Sequence, residues 1–432
     1  MNPLIYDNLS YGNDGTLYIG GVSAKELAER YGTPLFVCDE DRIRENCRIY
    51  TRELEKLGNG SRALYASKAL AFRQIYPVIA SEGLGADVVS GGELYTALAG
   101  GFDPYLMYFH GSNKSDEELR YAVDAGIGCV VLNDVNEAIR LDKIAVGAGR
   151  TQKVMLRVTP DIDPHTFKQV TTGKLDSKFG VSIAGDAAVN AIQSISALKN
   201  LDFCGCHCHI GSQIFETQPF LDALDVMLDL YAALASRGIA CRELDLGGGI
   251  GVAYSPEDTP PDISRTVRAV VERLVAGCSE RSVGLPVLLL EPGRSIVANA
   301  GVTLYTVGGV KKIPGVRTYV GIDGGMNDNP RFALYGAHHT PVKATDAGTN
   351  EQAVVTVAGK TCESGDIVAQ DVTMELPEVG DLVAVLTTGA YNYSMASNYN
   401  RIPRPAVVMV SGGKSRLVVR RETYEDLVRC DV

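Results

Sequence analysis

The feature that most constrains the fold is a beat. Short apolar runs recur at residues 63–66, 86–89, 106–109, 129–132, 154–158, 203–209, 243–246 and 287–290, with helical patterns between most of them. The clearest helix spans 217–237, with Phe220, Leu221, Leu224, Met227, Leu228, Tyr231 and Leu234 on one face and Gly238 as its stop. Eight strands alternating with helices over about 250 residues is the arithmetic of a (β/α)8 TIM-like barrel. A doubly wound open sheet has the same beat and is the alternative architecture. Ahead of it, a helix is predicted over 23–31, with Ser23 and Glu26 as a capping box, and a strand over 34–38. After residue 300 the pattern changes. Runs at 302–307, 318–322, 353–357, 382–386 and 406–410 have few helical stretches between them, and Ser411-Gly412-Gly413-Lys414 joins two strands as a hairpin would. The predicted fold class is α/β: a barrel over 39–290 plus a C-terminal antiparallel β domain made of 1–38 and 291–432.

Composition bounds the rest. A chain of 432 residues is too long for one ordinary core, so two domains are expected. A formal net charge of −11 argues against nucleic acid and anionic membranes as partners. The N-terminal stretch lacks the basic start and apolar run of a signal peptide, and no segment is long and apolar enough to span a bilayer. A cytoplasmic location is the expectation. The ten cysteines are then free thiols in a reducing compartment.

In a barrel, chemistry belongs at the C-terminal ends of the strands. Lys68 follows the first run and Asp87 lies in the second. His209-Ile210-Gly211-Ser212 closes the sixth, Gly247-Gly248-Gly249-Ile250-Gly251 the seventh and Glu291-Pro292-Gly293-Arg294 the eighth. A lysine in an apolar pocket at a strand end has the neutral, nucleophilic amine of a Schiff-base former; the other reading is a solvated loop lysine. The glycine run can bring backbone N–H groups to a phosphate, although it lacks the G-x-G-x-x-G spacing of a dinucleotide fold. Cys204-Gly205-Cys206-His207-Cys208-His209 invites a metal reading, but same-face neighbours on a strand stand roughly 6.5 Å apart, too far for two sulfurs that must approach to about 3.8 Å on one zinc. No metal is expected; the cysteines are expected to pack outward against helices, and the histidines to face the barrel mouth. Lysine, glycine cradle, histidine and buried glutamate together suggest pyridoxal 5′-phosphate, with the glutamate keeping the ring nitrogen protonated and the histidine stacking on the ring.

These motifs resemble the fold-type III pyridoxal-phosphate decarboxylases. Asn329-Pro330-Arg331-Phe332-Ala333-Leu334-Tyr335-Gly336-Ala337-His338-His339, Cys362-Glu363-Ser364-Gly365-Asp366 and the run from Gly389 to Asn400 are similar to the diaminopimelate decarboxylases within that group. Leu70, Lys360 and Arg401-Ile402-Pro403-Arg404 depart from the family pattern without removing a catalytic group. The resemblance implies that Lys68 holds the cofactor and Glu291 pairs with its ring nitrogen. It makes His209 the stacking residue and Asp87, Ser212, Gly248, Gly249, Gly293, Arg294 and Tyr391 further cofactor contacts. Arg294, Arg331, Tyr335, Glu363 and Tyr391 would bind the substrate, with the arginine fork suited to a carboxylate. Cys362 or Lys68 would return a proton after CO2 leaves; a half-buried packing role is the plain reading of Cys362. The implied activity is decarboxylation of meso-2,6-diaminopimelate to L-lysine. The alternatives are a decarboxylase of ornithine, D-lysine or carboxynorspermidine, or a non-catalytic carrier of the cofactor. The implied assembly is a homodimer whose sites are shared between subunits.

Overall fold

The structure is a computed structural model and describes residues 4–162 and 178–432. The chain divides into two compact units, one of residues 46–251 and 260–295, the other of residues up to Glu45 with 252–259 and 296–432.

The first unit is a closed barrel. Its strands are β1 (Arg62–Ala66), β2 (Gly85–Val88), β3 (Met107–Phe109), β4 (Cys129–Leu132), β5 (Gln152–Thr159), β6 (Leu201–His207), β7 (Glu243–Asp245) and β8 (Val287–Leu290). Every neighbouring pair is parallel, and β8 returns to β1 through Leu289 opposite Arg62. Closure removes the sheet edges. A short strand, Val181–Ser182, lies beside β5. Ser90, Ser115, Asp134 and Asp262 each accept a backbone N–H at a helix start, and Ser115 and Glu118 form a reciprocal capping box. These caps fix where each strand-to-helix turn ends, and so where the mouth begins. The long amphipathic helix is Gln218–Ala235; it buries Phe220, Leu224, Met227, Leu228, Tyr231 and Leu234.

One expectation about β6 is corrected. Cys204 does not pack outward; it joins an interior cluster with Leu64, Tyr108, Cys129, Val131, Met155 and Leu289. The cause is a register shift between Phe203 and Gly205 against β5, a bulge that breaks the alternation of side chains. Beyond it Cys206 lies beside the helix, where its N–H bonds the Tyr231 hydroxyl at 2.9 Å. His207 points inward.

The second unit is a sheet in the order Ile367–Glu375, Gln352–Ala358, Arg317–Ile322, Gly301–Ile313, Leu35–Asp39, Ala406–Ser411, Lys414–Val419. Pro341–Lys343 and Leu382–Leu386 extend it from Gly301–Ile313. Most pairs are antiparallel. Two are parallel: Arg317–Ile322 with Gln352–Ala358, and Ala406–Ser411 with Leu35–Asp39. The hairpin forms as read, with Ser411 opposite Lys414 and positive φ at both Gly412 (54°) and Gly413 (71°), the geometry of a type I′ turn. The early helix is Ala24–Tyr31, and Ser23 accepts the Glu26 N–H at 3.4 Å.

Candidate active site

The barrel mouth gathers charged side chains from five strand ends. Lys68 sits in a 3-10 turn, Ser67–Ala69, directly after β1. Because Ala66 pairs with Asp87 in register, the lysine reaches sideways, and its Nζ donates to Asp87 Oδ2 at 2.9 Å. Asp87 is fully buried, whereas the Lys68 side chain remains 38% exposed. The expected apolar pocket is therefore not what surrounds the amine: a buried carboxylate within ion-pair distance favours its charged form.

Glu291 follows β8 and is 4% exposed. Its N–H donates to Gly247 O at 2.7 Å, which locks it to the glycine run after β7. Two histidines approach its carboxyl: His110 Nε2 lies 2.7 Å from Oε1, and His207 Nε2 lies 3.3 Å from Oε2. The two imidazoles meet edge to face with centroids 4.7 Å apart. Burial pushes the Glu291 carboxyl up, but the two histidines outweigh it and hold the group well below its usual range. Burial pushes His207 down to about 3, so it stays neutral. No motif or spacing in the sequence marks His110; its signal is its position, a polar residue immediately after Phe109 of β3. His207, expected at the mouth, is a partner of Glu291. Asp245, the last residue of β7, is also completely buried here.

The glycine cradle is backbone. A Cβ on Gly248 would fall 2.0 Å from Glu291 O, and one on Gly249, whose φ is +122°, would fall 2.3 Å from Gly211 O. A Cβ on Gly293 would stand 3.0 Å from both the Ala66 and Ala69 Cβ atoms. A side chain at Gly248 or Gly249 would collide with backbone, and one at Gly293 would be tightly packed. Gly248 N–H bonds His209 Nδ1 at 3.2 Å, which fixes one nitrogen of that ring as an acceptor. Burial and the neighbouring Lys68 charge push His209 well down, so it is neutral. Arg294 opens the helix Arg294–Val297 and donates to Ser212 Oγ from Nε (3.2 Å) and Nη2 (2.9 Å). Arg157 and Glu93, absent from the sequence-based set, add a half-buried cation and a carboxyl that burial raises to about 7. A lysine for the carbonyl carbon, a glycine cradle with an arginine and serine, a neutral imidazole and an ionised carboxyl together fit pyridoxal phosphate.

The remaining predicted residues form a second constellation, within the β unit. Arg331 begins the short helix Arg331–Tyr335 and is 7% exposed, with its guanidinium carbon 4.5 Å from the Tyr254 ring centroid. Tyr254 in turn meets His339 edge to face at 5.2 Å. Tyr335, one helical turn from Arg331, is half-exposed. Cys362 and Glu363 are exposed on a turn held from behind by buried Asp366, which accepts from Met326 N (2.6 Å), Thr361 N (2.7 Å) and Thr361 Oγ1 (2.5 Å). Cys362 N–H donates to Asn400 Oδ1 at 2.6 Å, and Ser397 N–H to Asn327 O at 2.8 Å. Tyr391 has the left-handed φ of +61°. Three motifs separated by dozens of residues are thus stitched into one patch.

The family model for the pyridoxal-binding domain of pyridoxal-dependent decarboxylases matches residues 40–298. This defines the class. The chain is 46% identical to the diaminopimelate decarboxylase of Bacillus subtilis (strain 168) over 97% of this chain and 95% of that one. A crystal structure of diaminopimelate decarboxylase from M. jannaschii with L-lysine superposes with a TM-score of 0.93 at 36% identity, covering 99% of this chain and 98% of the other. The Helicobacter pylori enzyme, also complexed with L-lysine, gives 0.85 at 31%, covering 94% and 98%. The chain belongs to the diaminopimelate decarboxylase family of pyridoxal-dependent decarboxylases. Among the described residues no helix is long and apolar enough to cross a membrane.

Proposed function

We propose that this chain removes CO2 from the D centre of meso-2,6-diaminopimelate and releases L-lysine. The observation that carries the proposal is the barrel mouth, where Lys68–Asp87 and the histidine-bound Glu291 stand beside a glycine cradle. Bound there, pyridoxal phosphate supplies an electron-accepting ring for the pair of electrons that departing CO2 leaves behind. Lys68 would anchor it, with Asp87 orienting the amine. Gly248, Gly249, Gly293, Ser212, Arg294 and Tyr391 would hold the phosphate, and His209 would offer its flat face. Glu291 would keep a negative charge beside the ring nitrogen.

Arg331 and Glu363 recognise the substrate's other end. A guanidinium fork for the distal carboxylate and a carboxylate for the distal amine together select an L-configured zwitterion over a bare amine. The nearby aromatic face of Tyr254 holds the guanidinium in place. Cys362 or Lys68 delivers one proton to the carbon that lost CO2. We infer that the chain works as a two-fold dimer in the cytoplasm, each site completed by the exposed Cys362–Glu363 turn of the other subunit. The backing of that turn by Asp366 supports this, since it presents both side chains outward on a fixed base.

Incubation of the holoenzyme with meso-diaminopimelate, ornithine and D-lysine side by side tests the reading. Rapid lysine formation from the first alone is expected, and Arg331→Ala should raise KM by on the order of 100-fold, the loss of one charged hydrogen-bonded pair. Preferred turnover of ornithine or D-lysine, or unchanged selectivity in Arg331→Ala, would overturn it.

A further inference from the structure

Asp245 ends β7 opposite Leu289 of β8, two residues before Glu291. It is completely buried. Its Oδ1 accepts the Gly247 N–H at 2.8 Å, while Oδ2 is buried and meets no donor among the described residues. The carboxyl of Glu291 is within hydrogen-bonding reach. Two carboxylates cannot hydrogen-bond each other; one must carry a proton. We propose that Asp245 is a positioning residue that keeps its proton at neutral pH and donates it to Glu291, so that the buried pair holds a single negative charge, located on Glu291.

The surroundings fix which partner is charged. His110 and His207 both approach Glu291, so its ionised form has two imidazole neighbours, whereas no histidine among the described residues lies within ion-pair distance of Asp245. The groups that face Asp245 from other elements are Glu291, Asp87, Arg157, His207 and the thiol of Cys208. His207 is neutral, and burial raises Cys208 so that it stays a thiol. An ionised Asp245 would add a third anion beside the buried carboxylates of Asp87 and Glu291. Burial and the adjacent Glu291 charge accordingly raise Asp245 well above the carboxylate range. The consequence is a carboxylate with His110 and His207 on one side and the Asp245 proton on the other, kept ionised even though buried. The inference rests on the reading of Glu291 as the carboxylate at the ring nitrogen.

The test is infrared difference spectroscopy of the holoenzyme, wild type against Asp245→Asn, at about pH 8.5, well above ordinary carboxyl values. That pH also lies above the value near 7 to which burial brings Asp328 and Glu93. A protonated-carboxyl C=O stretch should be present in the wild type and absent from the variant. Asparagine donates in the same place, so turnover should fall less than about tenfold, while Asp245→Ala, which leaves Glu291 short of a donor, should lose on the order of 100-fold. A difference spectrum with only carboxylate bands overturns the proposal, as does an asparagine variant as damaged as the alanine one. If neither variant folds, 13C-labelled aspartate in the wild type gives the same reading: one carboxyl resonance should keep its protonated shift at that pH, and titration of every aspartate below it would overturn the proposal. The spectra do not depend on turnover. A protonated Asp245 in a protein that decarboxylates nothing would sink the function and leave this inference standing.

Discussion

Lys68 stands two residues past Ala66, which pairs with Asp87 on the adjacent strand, and the salt bridge between Lys68 and Asp87 is what the sequence could not show. The lysine was legible from its place after an apolar run; the partner's role was not, because it depends on the register of β1 against β2. An amine held at 2.9 Å from a buried carboxylate is aimed as well as charged. Borohydride reduction of the holoenzyme followed by peptide mapping should place the cofactor on Lys68. Label on any other lysine would remove the central residue of the site. His110 stayed invisible for a different reason: a lone histidine carries no spacing signal, and its meaning comes from Glu291, 181 positions later in sequence yet 2.7 Å away.

At the scale of elements, the barrel strands were read to within one or two residues, since each is a buried apolar run bounded by helices. The bulge at Cys204 was not, because one extra residue in β6 changes no residue type. Nor was the parallel pairing of Ala406–Ser411 with Leu35–Asp39, which joins segments from opposite ends of the chain. The glycine loop after β7 was legible as a close approach, although composition alone does not say to what. The structure answers with Glu291 O, 2.0 Å from where a Gly248 Cβ would fall. Gly248→Ala should therefore cost ~1–3 kcal/mol by overpacking and weaken cofactor binding, both read by denaturant titration and cofactor absorbance. An unchanged midpoint with full cofactor occupancy would show that the loop yields without cost.

For the whole molecule, Lys68 belongs to the barrel unit while Cys362 and Glu363 belong to the β unit. If the two meet across a dimer, Lys68→Ala and Cys362→Ala are each nearly inactive alone but complement when mixed. Random exchange makes half the dimers mixed, and each mixed dimer has one site with both lesions and one with neither, so about one quarter of sites should recover in an isologous dimer. Verified exchange without recovery would mean that each site is built within one chain. The motifs that led to this picture were readable one by one; their assembly into a patch by Asp366 and Asn400 depends on long-range hydrogen bonds that no local pattern encodes.

The measurement that bears most directly on the whole account is turnover of meso-diaminopimelate in D2O with chiral analysis of the product. Equal amounts of CO2 and L-lysine are expected, the lysine carrying one deuterium on the carbon that lost its carboxylate, because one solvent-derived proton replaces CO2 at that centre. Diaminopimelate recovered with deuterium at its α-carbons and no CO2 would mean proton exchange without decarboxylation. D-lysine as product would mean that the residues at the distal end select the opposite centre. Either result would contradict the function assigned to this site.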